Sequence, residues 1–245
     1  WRFVLLVMIG SLAIFPDLGN ATILILVSLL MYTISGIAYR WFTTILSLLA
    51  GVSMISLTAI RIIGVEKFSK IPVFGYVAKR FSAFFNPFND LAGAGHQLAN
   101  SYYAMVNGGW FGLGLGNSIE KRGYLPEAHT DFVFSIVIEE FGFVGASLIL
   151  ALLFFLILRI ILVGIRARDP FNSMVAIGIG GMILIQVFVN IGGISGLIPS
   201  TGVTFPFLSQ GGNSLLVLSV AIAFVLNIDA SEKRARLFSE YDAQL

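Results

Sequence analysis

The sequence contains no cysteine and few charged residues. Of its 245 residues, 11% are charged, whereas an average soluble protein has about 25%. The absence of cysteine excludes disulfide bonds, thiolate metal sites and a cysteine nucleophile. The net charge of +2 is too small to favour a polyanionic partner such as a nucleic acid.

Apolar residues take the place of the missing charge. They make up 57% of the chain, 22 of them are phenylalanine, and the mean hydropathy is +0.92. This composition excludes a cytosolic enzyme, a nucleic-acid-binding protein and a secreted disulfide-rich domain. It predicts an all-α polytopic membrane protein, because a spanning helix needs about 20 mostly apolar residues.

Uncharged runs predict six membrane segments and two polar regions in a single membrane domain, 1–245. The uncharged run between Asp169 and Asp229 is too long for one helix and is broken by glycine and proline, so it predicts two helices joined by a re-entrant or external loop. The first run is short for a span, and we expect an N-terminal portion to precede it. The six segments lie at about 1–15, 18–38, 41–61, 132–160, 172–192 and 212–228, with a large loop at 62–131 and a tail at 229–245.

The distribution of lysine and arginine predicts the orientation. Short loops rich in these residues stay in the cytoplasm. One face carries nearly all such residues of the short loops and the tail, so the C-terminus is predicted to be cytoplasmic and the long loop 62–131 extracytoplasmic. The basic residues of that face are Arg2, Arg40, Arg159, Arg166, Arg168, Lys233, Arg234 and Arg236.

The long loop begins with phenylalanines spaced among basic residues, a pattern typical of helices lying in the membrane interface. The aromatic residues are best explained as structural, whereas Lys79 and Arg80 could also meet an anionic headgroup. The glycines of 112–116 favour close backbone packing or a loop approaching a substrate, since no strand precedes them as a nucleotide loop requires. Gln97 and Asn100 are predicted on a short helix, where each alone is more often structural.

The densest group of ionisable residues precedes the fourth segment and comprises Lys121, Arg122, Glu127, His129 and Asp131. Two interpretations of its end carry equal weight. In the first, Thr130 caps the following helix and Asp131 stabilises its positive end. In the second, Asp131 is a carboxylate at the membrane boundary that acts as a general base on a hydroxyl. His129 alone is more often structural.

Two further polar features lie on predicted spans. Glu139 and Glu140 are costly in a membrane, and the default expectation is pairing with an arginine or polar residue of helices absent from this sequence. The glycine-rich stretch 209–214 precedes the last span. It offers free backbone N–H groups to an anion, although a simple helix cap is the favoured explanation.

Several motifs, in this order, resemble the SEDS family (shape, elongation, division and sporulation), and its division-type members more than its elongation-type members. The resemblance covers essentially the whole chain and implies a ten-span fold of which this sequence holds the last six. The motifs are PDLGN at 16–20, Arg80 with Asn86-Pro87, GAGHQ at 93–97, the glycines of 108–116, LPEAHTDF at 125–132 followed by EEFG at 139–142, and PSTGVTFPFLSQGGNS at 199–214.

The resemblance implies a peptidoglycan glycosyltransferase of the inner membrane that polymerises lipid II outside the cytoplasm for septal wall synthesis. Asp131 matches the family's aspartate and would deprotonate the acceptor hydroxyl in an inverting transfer with a polyprenyl diphosphate leaving group. A divalent cation, Mg or Mn, at the diphosphate is the cofactor left open. Implied partners are a class B penicillin-binding protein, other divisome proteins and membrane lipid. The implied substrate-binding residues are Lys79, Arg80, Gln97, Lys121, Glu127, His129 and Ser209.

Two other functions compete with the transferase. A lipid II flippase also fits a polytopic chain with broken helices and glutamates within its spans. It should carry its important polar groups near the middle of the membrane, whereas this sequence concentrates them at one mouth. A non-catalytic scaffold of the division machinery predicts that changes at 127–131 have little effect.

Overall fold

The described part of the chain is helical. The computed structural model describes residues 18–36, 43–44, 47, 51, 58, 80–81, 83–89, 93 and 95–242. Within these residues there are no strands, which agrees with the predicted all-α class. The helices are α1 (Leu18–Ile34), α2 (His96–Gly108), α3 (Val133–Arg166), α4 (Pro170–Ile194) and α5 (Gly212–Asp242), with 3-10 turns at Pro87–Asn89 and Glu120–Arg122.

Three of these helices are long and apolar enough to cross a membrane, namely Val133–Arg166, Pro170–Ile194 and Gly212–Phe238. The helix Gly19–Ile34 is apolar but shorter. The predicted segments 1–15 and 41–61 lie largely or wholly outside the described residues. The chain is therefore a multi-pass membrane protein, in which many large apolar side chains face outward rather than into the protein.

Two predicted helix boundaries differ from the structure. Helix α3 ends at Arg166 rather than near 160, and α5 continues to Asp242, so most of the segment predicted as a tail extends the last helix. No proline interrupts either extension, and the single glycine, Gly164, stays helical where α3 packs against Ile177 of α4. Charged residues are compatible with a helix that continues beyond the bilayer. The start of α4 follows the usual rule, because the Asp169 carboxylate accepts a hydrogen bond from the N–H of Asn172 (3.2 Å).

Helix α3 is the centre of the packing and contacts α2, α4 and α5. The rings of Phe134 on α3 and Phe205 in the loop before α5 stack with centroids 4.7 Å apart. Both rings are buried. This stack joins the start of α3 to the loop 195–211, so the two segments that carry the candidate site residues pack as one unit.

Helix α3 is broken at Gly142, where φ is 70° and ψ is 179°. The loop after α2 inserts into the break and pairs with the backbone groups that the break releases. Four hydrogen bonds of about 3 Å join the two segments, from Leu113 N to Glu139 O, Gly114 N to Glu140 O, Phe143 N to Gly109 O and Val144 N to Trp110 O.

The break divides α3 into a short first segment and a long second one. The second segment, 143–166, is about 36 Å long at 1.5 Å per residue and spans the roughly 30 Å of a bilayer core by itself. Glu139 and Glu140 belong to the first segment. Glu139 and Glu140 therefore do not have to lie within the apolar length that crosses the membrane. The sequence, by contrast, predicts that both lie on a span.

Candidate functional site

Asp131 lies where the chain enters α3, two residues before the helix begins. Its side chain is partly exposed and lines a small crevice between this entry, α4 and the loop 195–211. The other residues of the crevice are Phe132, Val189, Asn190, Gly193, Ile194, Ser200, Thr201, Gly202 and Val203. Most of this wall is apolar side chain or backbone, so a carboxylate here is only partly hydrated.

Burial raises the pKa of the Asp131 carboxyl above its ordinary value. The nearby negative charge of Glu127 acts in the same direction. A hydrogen bond from Thr130 and the positive charge of Arg80 oppose the shift without cancelling it. A raised pKa strengthens this carboxylate as a base, which suits proton abstraction.

The Thr130 hydroxyl lies between two carboxylates. Its oxygen is 2.6 Å from Glu127 Oε2 and 3.0 Å from Asp131 Oδ1, but a hydroxyl has a single hydrogen to donate. The prediction that Thr130 caps the helix is wrong. The N-cap position is Phe132, which has no side-chain cap, because the chain makes an extra turn over 127–132 before α3 begins.

Side chains from α4 and the loop before α5 hold the backbone around Asp131. The Asn190 amide donates to the carbonyls of Asp131 and Val203, both at 2.6 Å. The Ser209 hydroxyl donates to Thr130 O (2.5 Å) and accepts from Phe205 N (2.7 Å). Ser209, which the sequence predicts as a substrate contact, is therefore placed between two backbone groups of the protein itself.

Arg80 is the cation that the structure brings to Asp131. Its Nη1 donates to the carbonyl of Ser200, and its guanidinium lies over Gly202, where an added Cβ would be 3.0 Å from Nη2. Ser200 and Gly202 both line the crevice. The absence of a side chain at position 202 therefore leaves the space that the guanidinium uses.

The remaining predicted site residues are spread over several places. Glu127 and His129 are exposed beside Asp131, and the His129 carbonyl accepts from Gln210 N (2.8 Å). Gln97 is half-buried on α2, which confirms the predicted short helix. Lys79 lies outside the described residues.

Glu139 is fully buried, and its partners belong to the end of α2 and the loop that follows it. Its carboxylate accepts from Ser118 Oγ, from Ile119 N at 3.1 Å, and from Glu120 N and Asn107 Nδ2 at 3.4 Å. The default expectation of partners in absent helices is therefore wrong for Glu139. The sequence could not show this, because the partners are backbone N–H groups and small polar side chains about 20 to 30 residues away.

Glu140 forms an ion pair with Lys121, so its partner also lies in this chain. The Lys121 ammonium, predicted to contact substrate, is thereby engaged about 10 Å along α3 from the start of that helix. Nearby, the Glu120 side chain is buried with Oε2 lacking a hydrogen-bond partner. Burial, and then the charge of Glu139, raise the pKa of Glu120.

Asn190, which holds the backbone of Asp131, was not predicted from the sequence. A usable signal existed, because Gln186 and Asn190 are spaced four residues apart in the apolar part of α4, which follows Ser173, and must share one face. The structure directs both amides to the same loop, since Gln186 Nε2 donates to Thr204 O (3.1 Å). The second Asn190 side-chain atom, Oδ1, is buried without a partner.

The predicted Mg or Mn remains a prediction. Among the residues that the structure describes, no three His, Cys, Asp or Glu side chains are grouped so that they could hold a metal ion. Glu127 and Asp131 flank the same threonine hydroxyl and offer at most two carboxylates. Any cation here would depend on oxygen atoms of the substrate, so we assign it no step.

Comparison with known proteins identifies the family. The sequence model FTSW_RODA_SPOVE, described as cell cycle protein, matches residues 1–234. The chain belongs to this family. The SEDS resemblance predicted from the motifs is thereby confirmed. The chain is 55% identical over 234 residues to the probable peptidoglycan glycosyltransferase FtsW of Lactococcus lactis, covering 96% of this chain and 56% of the relative. It is 41% identical to stage V sporulation protein E of Bacillus subtilis, covering 87% and 54%.

Solved structures of the family have the same fold. One, described as structural coordination of polymerization and crosslinking by a peptidoglycan synthase complex, matches with a TM-score of 0.67 and 26% identity over 92% of this chain and 59% of that one. The rod shape determining protein RodA of Thermus thermophilus matches with a TM-score of 0.56 at 24% identity, over 92% and 54%. This chain therefore spans somewhat more than half the length of its relatives in the family.

Proposed function

We propose that the full-length protein is a peptidoglycan glycosyltransferase that polymerises lipid II, with Asp131 as its general base. The observation that carries the proposal is the position of Asp131 in a crevice beside Arg80, with a raised carboxyl pKa. The names of the curated relatives support the same reaction. The acting carboxylate lies at one end of the helices, which favours chemistry at the membrane surface over transport through its centre.

In this reaction Asp131 removes the proton from the acceptor sugar hydroxyl. The resulting oxyanion attacks the anomeric carbon of the donor sugar and forms the new glycosidic bond with inversion. The bond to the polyprenyl diphosphate breaks at the same carbon, and the diphosphate leaves with the electron pair. Because this leaving group is already anionic and stable, it needs positive charge more than a proton donor. One carboxylate can then serve where an inverting glycosidase uses two.

Arg80 is the residue that we assign to the leaving diphosphate. It lies close enough to Asp131 to lower the pKa of that carboxyl, and its guanidinium can donate to two phosphate oxygens at once. Lys121 receives no such role, because its ammonium is paired with Glu140. Asn190 and Ser209 act as positioning residues, since both bind the backbone at 130–131 rather than face a substrate.

The location and partners of the enzyme are part of the proposal. We place the Asp131 end outside the cytoplasm of the inner membrane and the basic C-terminal end inside, as the charge distribution predicts. A class B penicillin-binding protein would crosslink the product with other divisome proteins present. The match to a peptidoglycan synthase complex supports such a partner.

The test is Asp131→Asn in the full-length protein, assayed with purified lipid II and its transpeptidase partner in detergent. Loss of the general base predicts a fall in glycan chain formation of about 10²- to 10⁴-fold. Asp229→Asn, the same change at the opposite end of the helices, is the matched control and should polymerise normally. Undiminished polymerisation by Asp131→Asn would sink the base assignment. Because detergent abolishes compartments, failure of the wild type to polymerise would favour a flippase or scaffold.

A further inference from the structure

A second polar cleft lies at the opposite end of the molecule from Asp131, between the C-terminal ends of α3 and α5. Its empty volume is about 480 Å³, part of which is open solvent. The proposed transferase does not use it. The lining residues are Arg159, Leu162, Val163, Arg166, Asp229, Glu232, Lys233 and Arg236.

The two acidic side chains of the cleft already have partners. Asp229 Oδ2 accepts from Lys233 Nζ at 2.6 Å. The carboxylate of Glu232 accepts from the backbone N–H groups of Arg168 (3.0 Å) and Asp169 (3.4 Å), where α4 begins. Four basic and two acidic side chains line the cleft, so it carries a formal charge of +2.

Arg159 and Arg166 supply the positive charge that the acidic residues of the cleft do not neutralise. They are seven residues apart on α3 and therefore lie on one face, two turns from each other. Both are exposed, and in the part of the chain that the structure describes neither guanidinium makes a hydrogen bond or an ion pair. Arg236 has a separate role, because its Nη2 donates to Arg166 O (2.6 Å) and ties α5 to the end of α3.

Apolar surface adjoins these two arginines. Leu162 and Val163 lie between them in the cleft. One turn further toward the middle of the span, Phe155 and Leu158 are 62% and 53% exposed. A ligand that covers this surface needs an anionic group to bind the two arginines. It also needs a hydrocarbon part to contact the exposed apolar side chains of α3 beside them. A soluble phosphate meets the first requirement only.

We propose that this cleft binds the phosphate headgroup of an anionic membrane phospholipid through Arg159 and Arg166, with the acyl chains lying along α3. Basic pockets between spanning helices are a recurrent way to hold such headgroups. The lipid would brace α5 against α3 at the end where Arg236 forms the direct connection. The inference goes beyond the proposed transferase and does not depend on it, since it concerns the other end of the helices.

The test measures phosphatidylglycerol binding to the purified full-length protein by native mass spectrometry from mixed detergent micelles. The variant is Arg159→Gln with Arg166→Gln. The matched control is Arg168→Gln with Arg234→Gln, which removes the same charge from the same end outside the cleft. We expect the wild type and the control to retain phosphatidylglycerol. The cleft variant should bind it more weakly, by about fivefold for each arginine removed.

Two results would overturn the proposal. One is an equal loss of binding in the control pair, which would indicate general attraction between the basic end and the lipid. The other is displacement of phosphatidylglycerol by inorganic phosphate at the same concentration, which would make the cleft a free-anion site. Thermal unfolding of both double variants in detergent without phosphatidylglycerol, run alongside, is expected to match the wild type. Glycan synthesis does not enter the readout, so failure of the transferase proposal leaves the test intact.

Discussion

Asp131 and Glu139 are carboxylates eight positions apart in the sequence, yet the protein surrounds them in opposite ways. Glu139 is fully buried and accepts hydrogen bonds from two backbone N–H groups, a serine and an asparagine. Asp131 is partly exposed, and its carboxylate shares one threonine hydroxyl with Glu127. One carboxylate is saturated by the protein, and the other has acceptor capacity directed to a crevice.

The difference separates a carboxylate that stabilises the fold, Glu139, from a carboxylate that is accessible for chemistry, Asp131. A buried charge persists only where donors replace the water that it has lost. The donors around Glu139 therefore indicate that this carboxylate organises the segment 107–121, which comprises the end of α2 and the loop that follows it. A carboxylate that binds protons for catalysis must keep an accessible oxygen, and Asp131 does so. Burial without full hydrogen bonding also raises the Asp131 carboxyl pKa above its ordinary value, which makes it a stronger base than an ordinary aspartate.

The largest expected effect comes from displacing the loop that inserts at the break in α3 and surrounds Glu139. In Gly142→Ala the new Cβ would lie 2.4 Å from Gly112 N at a φ of 70°, so both strain and steric overlap oppose folding. We expect a loss of about 4 kcal/mol in unfolding free energy, measured by unfolding of the full-length protein in detergent. Gly116→Ala is the control, because its φ is 85° but nothing lies within 4 Å, and it should cost about 1–2 kcal/mol. Equal costs would show that the inserted loop does not pack as described.

The next effect compares the two carboxylates directly. Glu139→Gln removes the charge that four donors surround and should lower the free energy of unfolding by about 2–3 kcal/mol. Asp131→Asn should leave it unchanged or slightly higher at pH 7. The folded state holds the Asp131 proton more tightly than the unfolded state, so ionisation of this group costs stability above its unfolded pKa. A larger loss for Asp131→Asn than for Glu139→Gln would reverse the assignment of roles.

The smallest effect concerns the pH dependence of glycan synthesis. If the Asp131 carboxylate is the base, kcat/KM falls as pH drops through its raised pKa, at higher pH than for an ordinary aspartate. The charge of Glu127 contributes to that rise. Glu127→Gln should therefore move the acid limb of the profile to lower pH, measured with lipid II over pH 4–8. A shift toward higher pH would contradict the electrostatic arrangement of the site.

The sequence predicted much of this arrangement. Uncharged runs located the long apolar helices, and the density of ionisable residues singled out 121–131. The sequence could not show whether Asp131 stabilises the positive end of a helix capped by Thr130 or acts as a general base. Both interpretations require short polar residues just before a helix. The structure excludes the cap by Thr130 through the extra turn at 127–132, while the chemistry remains a proposal.

Other parts of the site could not be predicted because their partners are distant in sequence. Asn190 is 59 residues from the backbone carbonyl of Asp131 to which it donates, and Ser209 is 79 residues from that of Thr130. Backbone carbonyls carry no signature in the sequence. The resemblance predicted that Lys121 contacts substrate, whereas in the structure its partner is Glu140 on another element. Only folding brings these two residues together.

The sequence by itself determined that this protein lies in a membrane, its all-helical class, its family and the position of Asp131. These properties follow from hydropathy, helix length and local motifs. Only the tertiary structure decided which charges are available. Scarce charges in an apolar chain are stabilised either by internal hydrogen-bond donors, as at Glu139, or by exposure to solvent, as at Asp131. That division depends on which distant backbone groups fold against each carboxylate.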